Sequence, residues 1–246
     1  MHCIVPLLAL ALAGPACGTE LHILGQEYPP FNWSVDGQFQ GGMIDVLRAA
    51  CDKLRYRCQF TSVPLARAMK MLELGEADAV MSLIPNAERA VYAHFSPAIV
   101  VDRLAYFTPA GGTARARSLG DLKGWTIGAV RGSNSLQRAR ENQQLLDQVV
   151  VEEVNNETLV RKLQAGRYGA QGAIIGGEAV LRFEAHKIQL ELEAAVPLND
   201  QNFMTAFSRR SVDAVTMEAL TKTLVAMKKS GEMRTLLGKY GLKAAP

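Results

Sequence analysis

Of the four histidines, His2 lies in the N-terminal apolar segment, and His22, His94 and His186 have no nucleophile or ligand partner nearby in the sequence. No G-x-S-x-G turn, H-E-x-x-H helix, lysine-bearing phosphate loop or dinucleotide fingerprint occurs. The four cysteines are not at zinc-binding spacings, so no metal or cofactor is expected. What remains are groups suited to holding a small molecule. Gly132-Ser133-Asn134-Ser135, at a strand-to-helix junction, offers an anion free backbone N–H groups and hydroxyls. The same residues also make an ordinary helix cap. Arg89 follows Asn86-Ala87-Glu88 in a loop after a buried strand, where its planar guanidinium can grip a carboxylate through two bonds. The alternative is a solvated or Glu-paired arginine. Tyr28 and Phe31, separated by two prolines, either stack on a ligand or pack under their own loop.

These groups need a scaffold, and the pattern supplies one. The chain has 246 residues, 48 % hydrophobic and 21 % charged, ample for a folded core. Its net charge of +3 comes from scattered Lys and Arg, and aromatics are only 7 %, which excludes a nucleic-acid partner. Strand and helix signals alternate, the mark of an α/β fold. Leu21–Leu24 reads as a strand, and a helix follows Gly41-Gly42. Leu65, Ala68, Met69 and Leu72 mark a second helix, which Gly75 stops. Asp78–Leu83 reads as a buried strand. A new unit begins after Pro97, with a surface loop over 109–117, a helical turn from Leu119 and a strand over Trp125–Val130. Further strands are expected at Val149–Val154, Ala173–Ile175, Ile188–Glu193 and Phe203–Ser208. A helix carries Leu159, Val160 and Leu163, and two helices end the chain. Two α/β units of this size imply two lobes and a cleft, with ligands at the interface.

Cys3 to Ala16 is an apolar run too short to span a bilayer, followed by small residues, as in a signal peptide over 1–18. A buried N-terminal strand or helix is the alternative. Cys17 also fits a lipidation site, although Pro15 suits that pattern poorly. Cys51 falls near the end of the first helix and Cys58 just before the strand at Gln59–Val63. In an exported chain this pair reads as a disulfide, worth about 2–3 kcal/mol for so short a loop. Two buried thiols would be the other reading.

Taken together, the residues resemble the periplasmic solute-binding proteins of bacterial ABC importers, the family that includes the histidine- and glutamine-binding proteins. Tyr28-Pro29-Pro30-Phe31 resembles the family's Y-x-P-F, and Gly41-Gly42-Met43-Ile44-Asp45 its G-F-D-I-D. The Cys51–Cys58 spacing matches the disulfide of the basic amino-acid binders. Leu74-Gly75-Glu76-Ala77-Asp78-Ala79 is similar to L-x-x-G-x-x-D-A. Glu88-Arg89 followed by Phe95-Ser96-Pro97 resembles E-R and F-S-x-P-Y. The run from Asp121 to Ser133 resembles D-L-x-G-x-x-V-G-V-x-x-G-T/S, and Met227 to Tyr240 resembles the family's last helix. The likeness covers about residues 20–243.

The resemblance implies a two-lobed periplasmic-binding-protein fold of type II with two crossing hinge strands. Lobe one would hold 19–100 and 204–246, and lobe two 101–203. It implies that Arg89 binds a ligand carboxylate, that Ser133 and Asn134 bond the same anion, that Tyr28 stacks on the ligand and that Ser82 adds a hydrogen bond. Where the amino-acid binders carry an Asp for the ligand's ammonium, this chain has Gly176 or Gly177, with Glu178 the nearest acid. Arg67, Arg89 and Arg131 would line a pocket of three cations, whose counter-charge the ligand supplies. The alternative has Arg67 and Arg131 facing solvent. The function implied is capture of a small anionic or zwitterionic solute, without catalysis, by a periplasmic monomer that serves an inner-membrane ABC permease. Two other functions use the same scaffold: a dehydratase of prephenate-like acids, for which Glu178 or Glu27 would be the general acid, and a sensing partner of a membrane receptor.

Overall fold

The computed structural model describes residues 19–113 and 115–246. The expected signal segment 1–18, with Cys17, and Ala114 in the expected surface loop lie outside the described residues. The first lobe opens with β1 (Glu20–Gly25), a short hairpin of β2 (Trp33–Val35) and β3 (Gln38–Gln40), and α1 (Gly42–Leu54). It continues through β4 (Arg57–Ser62), α2 (Leu65–Leu74), β5 (Ala79–Leu83), α3 (Ala87–Tyr92) and β6 (Ala93–Phe95). β7 (Val100–Pro109) leads out of it. After a 3-10 turn at Leu119–Leu122 come β8 (Thr126–Val130), α4 (Asn134–Leu146), β9 (Val149–Glu153), α5 (Asn156–Gln164), β10 (Gly172–Gly177) and α6 (Glu178–Lys187). β11 (Leu192–Ser208) returns the chain, which ends in α7 (Ala214–Ser230), α8 (Glu232–Gly238) and β12 (Lys243–Ala244).

β1 lies between β4 and β5, parallel to both, and β8 lies between β9 and β10, again parallel. Each set is the central sheet of an α/β lobe. They are joined by β7 and β11, which pair antiparallel from Leu192↔Pro109 to Phe203↔Val100. β11 then goes on to pair β5, and β7 pairs β10, so these two strands cross from one lobe to the other. Buried apolar residues gather accordingly. One group includes Ile23, Phe31, Ile44, Leu47, Met81 and Phe207, a second includes Leu104, Tyr106 and Ile127, and a third includes Leu159, Ile174 and Leu181.

Local chemistry explains several boundaries. Gly75 closes α2 in the left-handed conformation at φ 77°, as its position after Leu72 predicts. Asn86 starts α3 by accepting from Arg89 N–H, so Arg89 sits on a short helix rather than in the expected loop. Cys51 and Cys58 form a disulfide with Cα atoms 6.2 Å apart, tying α1 to β4. The expected strand at Ile188–Glu193 is displaced. α6 runs to Lys187, Gln189 takes φ 56°, and Leu190 N–H returns to the Ala185 carbonyl, so strand begins only at Leu192. The charged and polar residues of α6 give a weak apolar stripe, which hides the helix, and the alternation at 188–193 is a helix ending.

Candidate functional site

Two cavities flank the crossing strands. Asp200 lines one and its neighbour Gln201 lines the other, so β11 passes between them with side chains on both faces. The larger, about 480 Å³, has largely apolar walls from Pro30, Val101, Ala179, Phe183 and Tyr240. The smaller, about 360 Å³, is the cleft that collects polar groups from both lobes. The first lobe contributes Glu27, Tyr28, Ser82 and Arg89, and the second contributes Arg131, Ser133, Asn134, Asn155 and Gly176.

Each lobe presents its groups from the end of a parallel strand, where an α/β fold leaves helix N-termini and loops free. After β5, Ser82 takes φ 59° while being 5 % exposed, a strained conformation for a side-chain-bearing residue. Its hydroxyl donates to Asn32 Oδ1, and Asn32, fully buried, donates in turn to the Gln26 carbonyl. That chain of bonds ties β5 to the loop that carries Tyr28. Arg89 is half-buried, and its Nη1–H donates to the Ile84 carbonyl at 2.8 Å. No carboxylate among the described residues pairs with it, and it lines the cleft, so its remaining N–H donors are uncommitted to an acid.

Across the cleft, β8 feeds α4. The Ser133 hydroxyl accepts from Leu136 N–H at 3.1 Å and donates to the Val130 carbonyl at 2.7 Å. Ser133 is therefore an N-cap whose own hydroxyl is engaged. What α4 offers a ligand is its first-turn N–H groups and the positive end of its dipole. β9 feeds α5 in the same way, with Asn155 accepting from Thr158 N–H at 2.8 Å. Two helix N-termini thus border one cleft.

Several expected residues stand elsewhere. Phe31 is fully buried and packs on Tyr28 and Phe203, with ring centroids 5.0 and 4.7 Å away, so it backs the cleft without lining it. Arg67 is exposed on α2 and lies outside the cleft lining. Arg131 is at the rim, 71 % exposed, with Nε 3.1 Å from Glu152 Oε2. Arg140 binds the same carboxylate, which those two arginines hold below its ordinary range. A pocket of three unpaired arginines does not form, because Glu152 already supplies the counter-charge for one and another faces solvent. Glu178 also leaves the cleft. It opens α6, pairs with Arg182 at 2.8 Å and faces the larger cavity. Gly176 and Gly177 do line the cleft.

Glu27 is the one acid among the described residues that line the cleft. Partial burial pulls its carboxyl up, but hydrogen bonds from Ser62 and from the Ser34 backbone and hydroxyl outweigh this and hold it below its ordinary range. It is ionised and already engaged. Burial pushes the Tyr28 hydroxyl well above its ordinary range, and the nearby Asp102 carboxylate adds to the effect.

Asn32, Asn155, Gln201 and Asp102 escape sequence reading. Asn155 has a signal, since Asn155-Asn156 follows a strand and opens a helix just as Ser133-Asn134 does. Asp102 has another, a lone acid in the apolar run from Ile99 to Phe107.

The model of bacterial extracellular solute-binding proteins, family 3, matches residues 23–243, and the chain belongs to this family. A probable amino-acid-binding protein of Bacillus subtilis (strain 168), YxeM, is 23 % identical over 231 residues, covering 89 % of this chain and 83 % of the relative. Among solved structures, the amino-acid ABC transporter substrate-binding protein AbpA of Streptococcus pneumoniae Canada MDR_19A, bound to L-arginine, superposes with a TM-score of 0.74 at 22 % identity. That match covers 90 % of this chain and 94 % of AbpA. A histidine kinase sensor domain with similarity to periplasmic binding proteins gives a TM-score of 0.77 at 18 % identity, covering 93 % and 99 %. The protein is a solute-binding protein with the family's two-lobed fold.

Proposed function

We propose that the cleft captures an amino acid or related small carboxylate and that the protein delivers it to an inner-membrane ABC permease. The observation that carries this reading is the meeting of Arg89, from one lobe, with the N-terminus of α4, from the other, across a single cleft. A carboxylate fits between them, gripped by the guanidinium and by backbone N–H groups. Tyr28 supplies a flat face beside it, backed by Phe31 and Phe203. Ser82 holds the Tyr28 loop through Asn32. AbpA, of the same fold, binds L-arginine.

The lobes divide at residues 19–100 with 204–246 and 101–203, and hinge at β7 and β11 so as to close on the ligand. Export by the 1–18 segment to the periplasm and a monomeric state complete the reading. Catalysis is disfavoured by the acids. Glu27 is held ionised by its serine donors, and Glu178 is turned to the other cavity, so neither is a proton donor in the cleft. The likeness to a sensor domain keeps a signalling use of the same cleft as the second reading. The test is thermal unfolding of the purified protein with each amino acid and with small mono- and dicarboxylates. A ligand at a hundred times its Kd adds about 2.7 kcal/mol of stability. Turnover of the bound compound, followed over hours, would replace the binding reading with an enzymatic one.

A further inference from the structure

Asp102 on β7 is 6 % exposed. Its Oδ1 accepts the N–H groups of Arg103 and Ala179, each at 3.0 Å. Its Oδ2 is buried and meets no donor among the described residues. A buried carboxylate oxygen left in this way is uncommon and points to a partner that arrives from elsewhere.

Gly177 shows where that partner would come from. Its φ of −68° and ψ of 133° are open to any residue, so its backbone does not call for glycine. A Cβ at this position would stand 2.4 Å from Asp102 Oδ2 and 3.7 Å from the Tyr28 hydroxyl. The carboxylate from β7 therefore takes up the space of a side chain at 177. Asp102 lines the larger cavity, whereas Gly177 and Tyr28 are part of the cleft wall, so Oδ2 lies between the two cavities with Gly177 separating it from the cleft.

The charged groups around Asp102 are largely committed to one another. Arg103, its neighbour on β7, is 3.6 Å from Asp200 on β11, and Arg182 on α6 is 2.8 Å from Glu178. His186 on α6, Tyr240 and Lys243 on β12 also line the larger cavity beside Asp102, and Tyr28 faces it from the first lobe. Of the cations, Lys243 favours the ionised carboxylate, while Glu178 opposes it. Neither bonds to Oδ2.

We infer that Asp102 Oδ2 accepts a cationic nitrogen of the ligand, an ammonium or guanidinium, and that glycine at 177 is what lets this carboxylate reach the cleft wall. The inference rests on the solute-binding reading of the cleft and makes Asp102 a specificity residue within it. It also couples binding to pH. Burial raises the Asp102 carboxyl to about 6, so a proton competes with the ligand's cation below that value. Affinity for an amine ligand falls about tenfold from pH 8 to pH 5.

Calorimetric titrations with L-arginine, L-glutamine and amine-free succinate, at pH 8 and pH 5, test this on the native protein and on Asp102→Asn and Gly177→Ala. The expected result is binding of an amino acid that weakens toward pH 5. Asp102→Asn then loses at least tenfold in affinity and loses the pH dependence. Gly177→Ala loses affinity as its Cβ displaces the carboxylate. The native pH profile needs no variant, and melting curves verify that both variants fold. An unchanged Kd and pH profile in Asp102→Asn overturns the inference and leaves the cleft as an amino-acid site. Binding of succinate alone overturns it and leaves a carboxylate site. No heat from any probe with the native protein overturns both the inference and the reading beneath it.

Discussion

Arg89 and Arg131 make a controlled comparison, since both are arginines on the same cleft. Arg89 has no acidic partner among the described residues and lines the cleft, whereas Arg131 is spent on Glu152 at an exposed rim. Charge-assisted hydrogen bonds to a carboxylate contribute roughly 1.5–3 kcal/mol. Arg89→Ala is expected to weaken ligand binding by about ten- to a hundredfold. Arg131→Ala is expected to change it by less than about threefold, in keeping with the small worth of exposed ion pairs. Calorimetry on the two variants with the same ligand separates them. Equal losses would restore Arg131 to the binding machinery. That Arg89, Ser133, Asn134 and Tyr28 come together in one cleft is legible in the sequence because their types and local motifs carry the signal. Whether a charge is free or already neutralised depends on Glu152, which comes from a neighbouring strand, and no local pattern reveals that.

At the level of elements, caps and closures were the most readable features. Gly75 and Ser133 end and begin helices where their residue types demand it. Ser133→Ala removes the acceptor for Leu136 N–H and should lower stability by about 1 kcal/mol. It should leave affinity nearly intact, since the hydroxyl is already bonded within the protein. Denaturant unfolding together with ligand titration checks both halves. Reduction of Cys51–Cys58, or its replacement by two serines, should cost about 2–3 kcal/mol, from the short loop it closes between α1 and β4. α6 and the full length of β11 were less legible. α6 buries Val180, Leu181 and Ala185 but also Glu184, whose carboxylate pairs with Lys187. Such a helix is stabilised by tertiary packing that a period count does not register. β11 is mostly exposed or half-buried through Asn202 and becomes continuously buried only over Thr205–Ser208, because it passes from an open hinge into the middle of a sheet.

For the whole molecule, the two lobes communicate through β7, β11 and a small aromatic contact. Trp33, on the β2–β3 hairpin, lies 5.3 Å from Phe183 of α6 and 5.8 Å from Tyr240. The proposed closure about the hinge would move Phe183 relative to Trp33, so Trp33 emission should change on ligand binding, and Trp33→Phe should abolish that change while Trp125 stays in its buried setting. Asp102 makes a second prediction at this scale. Desolvation is the main reason its carboxyl rises from 3.8 to about 6, with Glu178 adding to the rise, while N–H bonds from Ala179 and Arg103 and the charge of Lys243 oppose it. The folded protein therefore binds more protons than the unfolded chain between about pH 4 and pH 6. The contribution to stability is full below about pH 4 and is lost as pH rises through about 6, on the order of 3 kcal/mol. Melting curves of the ligand-free protein should show that component, and Asp102→Asn should flatten it.

The central claim is that one cleft holds a small carboxylate with Arg89 as its anchor. A thermal-shift screen of the native protein and Arg89→Met, against the amino acids and small mono- and dicarboxylates, tests it most directly. The account predicts that at least one compound raises the melting temperature of the native protein and that the rise is lost or strongly reduced in the variant. A rise of equal size in both, or no rise with any compound, would contradict it.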